Sequence, residues 1–230
     1  MKFIVALSLL LAVATAVPRR LVVPVKDAQV GKSRIISGSP AKPGQYAFQV
    51  INESEMMVGN LFCGGALISS HWVLTSAHCA SGASSHTITM GTISSNGDDP
   101  KAVVVHTTSH IVHENYDSWF LWNDVALVDL VSDVKFKASN GVSPVLNFVN
   151  LTTISNEDCD AIIATSILDS TLCCKGNPEH GTCRGDSGGP LFEYDSEKKP
   201  RHIGVVSFVS AAGCASGYPS GYGRTSSHIS

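Results

Sequence analysis

Gly185-Asp186-Ser187-Gly188-Gly189-Pro190 is the stretch on which the reading of this chain turns. Glycines on both sides of Ser187 leave its hydroxyl accessible. They also let backbone N–H groups converge on one point, as a developing oxyanion requires. Two stretches upstream could complete such a site. Thr75-Ser76-Ala77-His78-Cys79 closes an apolar strand, Trp72-Val73-Leu74, on a histidine. A neutral imidazole can take a proton near pH 7 and return it. Asn123-Asp124-Val125-Ala126-Leu127-Val128 carries a carboxylate into an apolar strand. A carboxylate buried there needs a strong donor, such as an imidazole N–H. Alone, His78 reads as a structural histidine, Asp124 as an exposed turn residue and the glycines as a loop. Together they make Ser187 a candidate nucleophile.

Around these motifs, short β-prone runs are separated by Gly, Ser, Asn and Asp. They include Ala47–Ile51, Ala66–Ile68, Trp72–Thr75, Thr87–Met90, Ala102–His106, Val125–Leu130, Val145–Leu151 and His202–Val209. Their spacing predicts an all-β barrel or sandwich. One helix is expected over Asn156–Ile163, with Ser155 as N-cap and Asp158 three residues on. Asn52-Glu53-Ser54 and Asn150-Leu151-Thr152 are glycosylation sequons. Of the 230 residues, 43% are hydrophobic and 15% charged, which excludes a disordered chain. A net charge of −3 without Lys/Arg runs argues against nucleic acid as a partner.

The two ends differ from the middle. Lys2, the apolar run Phe3–Ala14 and Ala14-Thr15-Ala16 have the order of a signal peptide, residues 1–16. Secretion, oxidised cysteines and no membrane anchor are therefore expected. Residues 17–34 are basic and broken by Pro18, Pro24 and Gly31, as in a detachable pro-segment. Cutting after Arg34 would place an ammonium on Ile35, with Asp186 as a candidate counter-ion. The remaining residues, 35–230, hold 10 bases and 18 acids, a charge of −8. Seven cysteines leave one odd and allow about 105 arrangements.

In order and content these motifs resemble a chymotrypsin-family serine endopeptidase of the secreted digestive kind found in insects. The resemblance rests on Arg34-Ile35-Ile36-Ser37-Gly38, the His78 and Asp124 motifs, Gly181 to Pro190 and Ser207-Phe208-Val209-Ser210. It covers almost all of residues 35–225. It implies two six-stranded antiparallel Greek-key barrels with the active site between them. The first barrel would span about 35–135 and a truncated second about 136–230. His78 would be the general base, Asp124 its orienting partner and Ser187 the nucleophile. The N–H groups of Gly185 and Ser187 would form the oxyanion hole. Cleavage after Arg34 would pair Ile35 with Asp186 and activate a zymogen. The implied disulfides are Cys63–Cys79, Cys159–Cys173 and Cys183–Cys214, leaving Cys174 either reactive or buried. Gly181 at the base of the S1 pocket, where a carboxylate would select Arg or Lys, implies no trypsin-like preference. Val209 and Ser220 would be its walls, and Ser207-Phe208-Val209 would pair with substrate as an added strand. Small to medium apolar P1 residues are expected. So are protein or peptide substrates, an activating protease, protein protease inhibitors, a monomeric state, no cofactor, no metal and release into the gut lumen.

The chain departs from this pattern in length. His78 to Asp124 is 46 residues, against about 45 in the family's template. Asp124 to Ser187 is 63, against about 93. The shortfall falls near Lys137–Val142 and implies an incomplete second barrel. A catalytically impaired homologue or truncated isoform acting as a binding protein is the alternative. A metallohydrolase using His106, His110 and His113 would need those residues on one helix, although Val103-Val104-Val105 before them is strand-like. His71 and His180 read as surface or turn residues.

Overall fold

Alternation of inward apolar and outward polar side chains builds most of this chain. The computed structural model describes residues 21–27, 35–94, 99–135 and 146–229. The signal-peptide stretch, Arg34 and the Lys137–Val142 shortfall lie outside these residues. In chain order, β1 is Val22–Pro24, β2 Ser39–Pro40, β3 Gln49–Glu55, β4 Asn60–Leu67 and β5 Trp72–Thr75. Next come β6 Ser85–Met90, β7 Val103–Thr107, β8 His110–Val112, β9 Ala126–Asp129 and β10 Asn147–Phe148. The last are β11 Thr153–Ile154, β12 Thr171–Cys174, β13 Pro190–Tyr194, β14 Pro200–Ser210 and β15 Ser220–Arg224. Among the described residues two α-helices interrupt them, α1, Ala77–Ala80, and α2, Asn156–Ile163, with 3-10 turns at Val25–Asp27 and Thr225–His228.

The first sheet has the antiparallel order β7-β6-β3-β4-β5-β9-β8. Its two edge strands, β7 and β8, are separated by only two residues in the chain. One bent strand thus serves both edges, so seven segments give a six-stranded curled sheet without a long free edge. Val50, Val73, Ile88, Met90, Val128 and Leu130 fill it. In β3 the inward positions are Val50, Asn52 and Ser54. Asn52 is wholly buried and accepts from His86 Nδ1 at 3.0 Å, or from Ser54 Oγ at 3.3 Å. That sequon cannot carry a glycan in this fold, whereas Asn150 is exposed.

The second sheet has the order β1-β14-β15-β12-β11, with β13 also on β14. Among the described residues, five strands lie after Ile35 and the sixth, β1, comes from Val22–Pro24 ahead of it. The long strand β14 carries β13 along its first half and β1 along its last residues. Gly221 of β15 is required here: a Cβ would lie 2.1 Å from the Phe208 ring. Glycine costs a strand some entropy but lets the aromatic ring cross it. Ser155 caps α2 as expected, accepting from the Asp158 N–H at 3.0 Å. An aromatic group joins the two sheets, with Phe192 of β13 5.3 Å from Phe48 and 5.2 Å from Tyr46.

His106 and His110 stand on strands rather than on a helix, so the spacing argument for a metal site fails. His106 bonds Thr87, the His110 ring packs on His86, and that of His113 packs on His228. Burial, with the neighbouring His110 adding, holds the His86 imidazole down to about 4. Its Nε2 is buried without a partner among the described residues. The unfolded chain protonates His86 below about pH 6.5 and the folded chain only below about 4, so stability is lost as pH falls through that window. Urea melts between pH 6.5 and 4 should show this loss, and replacing His86 by Gln should roughly halve the slope.

Candidate active site

His78 sits in the single turn α1, directly after β5, and Cys79 anchors that turn to β4 through the Cys63–Cys79 disulfide. Asp124 precedes β9, which pairs with β5, so strand pairing brings the two motifs together. Asn123 turns the chain into Asp124 with a left-handed φ of 52°, a conformation asparagine tolerates. Its side-chain amide donates to Asn115 O at 3.0 Å and holds that turn.

The Asp124 carboxylate is buried and fully engaged. Oδ1 accepts the His78 backbone N–H at 2.8 Å, and Oδ2 faces His78 Nδ1 at 2.7 Å. Ser207 Oγ on β14 donates to the same Oδ2 at 2.5 Å. Burial pushes the carboxyl up, but the His78 charge, the His78 hydrogen bonds and the Ser207 hydroxyl outweigh it and hold Asp124 below the usual range. Contact with Oδ2 requires Nδ1 to carry the proton, which leaves Nε2 as the basic atom. Nε2 lies 3.5 Å from Ser76 Oγ. Ser187 Oγ is wholly buried and makes no hydrogen bond among the described residues. His78 and Asp124 are thus assembled, while the Ser187 hydroxyl is bonded to neither.

The glycine-rich loop has the shape its composition suggests. Gly185 and Gly188 take φ of 89° and 76°. At Gly188 a Cβ would meet Thr75 Oγ1 at 2.2 Å and Gly64 O at 2.6 Å, so the loop packs directly on the His78 side. Ser187 O accepts the Gly64 N–H at 2.7 Å. Among the described residues the N–H groups of Gly185 and Ser187 have no acceptor, as a pair of free oxyanion donors requires. Asp186 Oδ2 accepts the Cys183 N–H at 2.8 Å. Ile36 exchanges hydrogen bonds with Gly181, at 3.0 and 3.4 Å. Ile35 and Asp186 line one cavity of about 470 Å³, together with Phe48, Leu146 and Phe192.

Gly181, Val209 and Ser220 border a small gap of about 20 Å³, with Thr182 and Tyr218. Val209 and Ser220 stand opposite each other in the β14–β15 register. Around Gly181 an added Cβ would meet nothing within 4 Å, and no carboxylate borders the gap. The Tyr222 hydroxyl lies 2.9 Å from Ser220 Oγ. The disulfides are Cys63–Cys79, Cys159–Cys173 and Cys183–Cys214. Cys174 is free and buried; burial, softened by a Tyr222 hydrogen bond, pushes its thiol up to about 12. It is therefore a packing residue rather than a reactive one. His180 takes a turn bond to Asn177, and His71 pairs at the surface with Asp129 at 2.6 Å.

Sequence reasoning missed Ser207 as a partner of Asp124, and Arg184, whose Nε donates to Lys26 O at 2.8 Å. Neither has a local pattern, because each contact is made between strands or loops far apart in the chain.

Comparison with known proteins agrees with this geometry. The chain matches the Trypsin family over residues 35–145 and 136–229. It is 33% identical to Brachyurin of Leptuca pugilator over 219 residues, 83% of this chain and 93% of that protein. Collagenase of Hypoderma lineatum is 29% identical, covering 100% of this chain and 96% of its own length. That alignment runs over 260 positions against 230 residues here, so 30 positions lack a counterpart. A solved collagenase structure superposes with TM-score 0.74 at 29% identity, covering 85% of this chain and 95% of that one. Motifs, curled antiparallel sheets and alignments agree: the chain belongs to the trypsin family of serine proteases.

Proposed function

We propose that this chain is the zymogen of a secreted digestive endopeptidase that cleaves after small to medium apolar residues. The observation that carries this is the buried Asp124 carboxylate, held by His78 and Ser207 from opposite sheets. It fixes the His78 tautomer and leaves Nε2 to take a proton. Ser187 would then attack the scissile carbonyl. The N–H groups of Gly185 and Ser187 would receive the oxyanion, and His78 would return the proton to the leaving amine. Acyl transfer to water would complete the cycle.

In the uncut chain Ser187 is not yet bonded to His78, which fits a precursor. Cleavage after Arg34 would free the Ile35 ammonium beside Asp186 and reset the loop. The apolar preference follows from Gly181, Val209 and Ser220, which offer no charge to a basic side chain and narrow the slot. Protein substrates follow from the family; an activating protease, protein inhibitors and a monomeric state belong to this proposal. The alternative, a binding protein derived from a protease, is less favoured, because none of His78, Asp124 and Ser187 is substituted.

Chain cut after Arg34 should hydrolyse peptides and take up a serine-directed phosphonate on Ser187. Changing Ser187 to Ala should lower turnover by roughly 10⁴-fold or more. Uncut Arg34→Gln chain should stay unlabelled. A panel of chromogenic peptides varied at P1 should rank Val, Ala and Leu above Arg by at least about tenfold. A clear Arg preference would refute the pocket assignment.

A further inference from the structure

The pro-segment is built into the second sheet where a substrate strand would lie. Strand β1 pairs antiparallel with the end of β14, with Val22 opposite Ser210, Val23 opposite Val209 and Pro24 opposite Phe208. The Ala211 N–H donates to Leu21 O at 2.9 Å. Hydrogen-bonded positions alternate along an antiparallel pair, so they fall at Leu21 and Val23. Pro24 then occupies a position whose missing N–H costs nothing. The next residue, Val25, leaves the strand and opens the 3-10 turn Val25–Asp27 just beyond the Pro24–Phe208 pair.

Val25 is 0% exposed and belongs to the apolar cluster of Val206, Val209, Tyr222, Cys183 and Cys214. These include Val209, one of the expected S1 walls, which also borders the gap of about 20 Å³ over Gly181. Val22 packs in the neighbouring cluster with Phe208. Beyond Val25, Arg184 clamps the Lys26 carbonyl. In this intact chain Ser187 is 0% exposed and His78 5% exposed, so both residues are largely shielded from water.

We propose that Leu21–Asp27 is a substrate-mimicking inhibitor carried in cis: it adds a strand to β14 and inserts Val25 into the S1 pocket. The idea rests on the endopeptidase reading above and gives it a concrete ligand. A peptide of sequence Leu-Val-Val-Pro-Val, entering with its chain antiparallel to β14, is the chemistry this groove accepts. Blockade by Val25 is a second restraint on the precursor, separate from the uncut Arg34 bond. The released segment should remain a competitive inhibitor until it diffuses away or is cut.

Two measurements test it. First, activated chain is assayed on an apolar-P1 chromogenic peptide with a synthetic peptide of residues 21–27. Added peptide should raise KM at unchanged kcat, and its Val25→Asp version should need at least tenfold more for the same effect. Cleavage of the peptide between Val25 and Lys26 would also support the assignment. Failure to compete without such cleavage, or equal potency of both peptides, would overturn it. Second, amide hydrogen exchange is followed in the full uncut chain and in its Val25→Asp variant. The Ala211 amide should exchange at least tenfold faster in the variant, while amides of β3 and β12 stay protected. Unchanged protection at Ala211 would overturn the docking. If the variant frees this amide but the activated chain hydrolyses nothing, the docking stands and the endopeptidase reading fails. If the activated chain is active and neither peptide competes nor is cut, the endopeptidase reading stands and the inhibitor proposal fails.

Discussion

One buried carboxylate organises the functional half of this molecule. Asp124 sits where the first sheet meets the second and accepts from His78 on one side and Ser207 on the other. An isolated carboxylate at this depth would be neutralised or expelled. Its three donors are what make the charged form tolerable, and they come from two residues far apart in the chain, His78 and Ser207. The same charge that fixes the imidazole therefore also ties β14 to the His78 turn. Since β14 also carries Val209, which borders the gap over Gly181, and the residues paired with β1, that gap and the His78–Asp124 pair share one anchor.

The motifs of the proposed site were legible in the sequence because each of them is local. A serine between glycines, a histidine at a strand end and an Asp entering an apolar run can each be read within six residues. Strands with clean alternation were legible too: Trp72–Thr75 lies where expected, and Ser155 caps α2 as its hydroxyl and spacing suggest. The expected run Val145–Leu151 shrinks to the two-residue β10. The glycine-rich strands β4 and β15 were read short or missed, since glycine weakens strand propensity. Their glycines exist for neighbours such as the Phe208 ring, which no local pattern can announce. Asn52 shows the complementary error. Its sequon suggests a surface, but the alternation of β3 turns it inward against His86.

Length was the other feature visible early. Motif spacing puts the expected shortfall between Asp124 and Ser187, and the collagenase alignment as a whole has 30 positions without a counterpart in this chain. Among the described residues the second sheet gains a strand from Val22–Pro24, and Val22 and Val25 enter its apolar clusters. Residues 22–25 thus cover an edge and apolar side chains that their removal would leave exposed. Exposed strand edges recruit other strands. In a protease this liability is also the means of binding substrate.

If the carboxylate is the anchor, replacing Asp124 by Asn is the most direct trial. The amide keeps the shape but can leave His78 in the wrong tautomer and removes the charge that balances an imidazolium. We predict that kcat of the activated chain near pH 7 falls by about 10⁴-fold while the sheets remain folded by circular dichroism. Activity within tenfold of the parent would contradict the account.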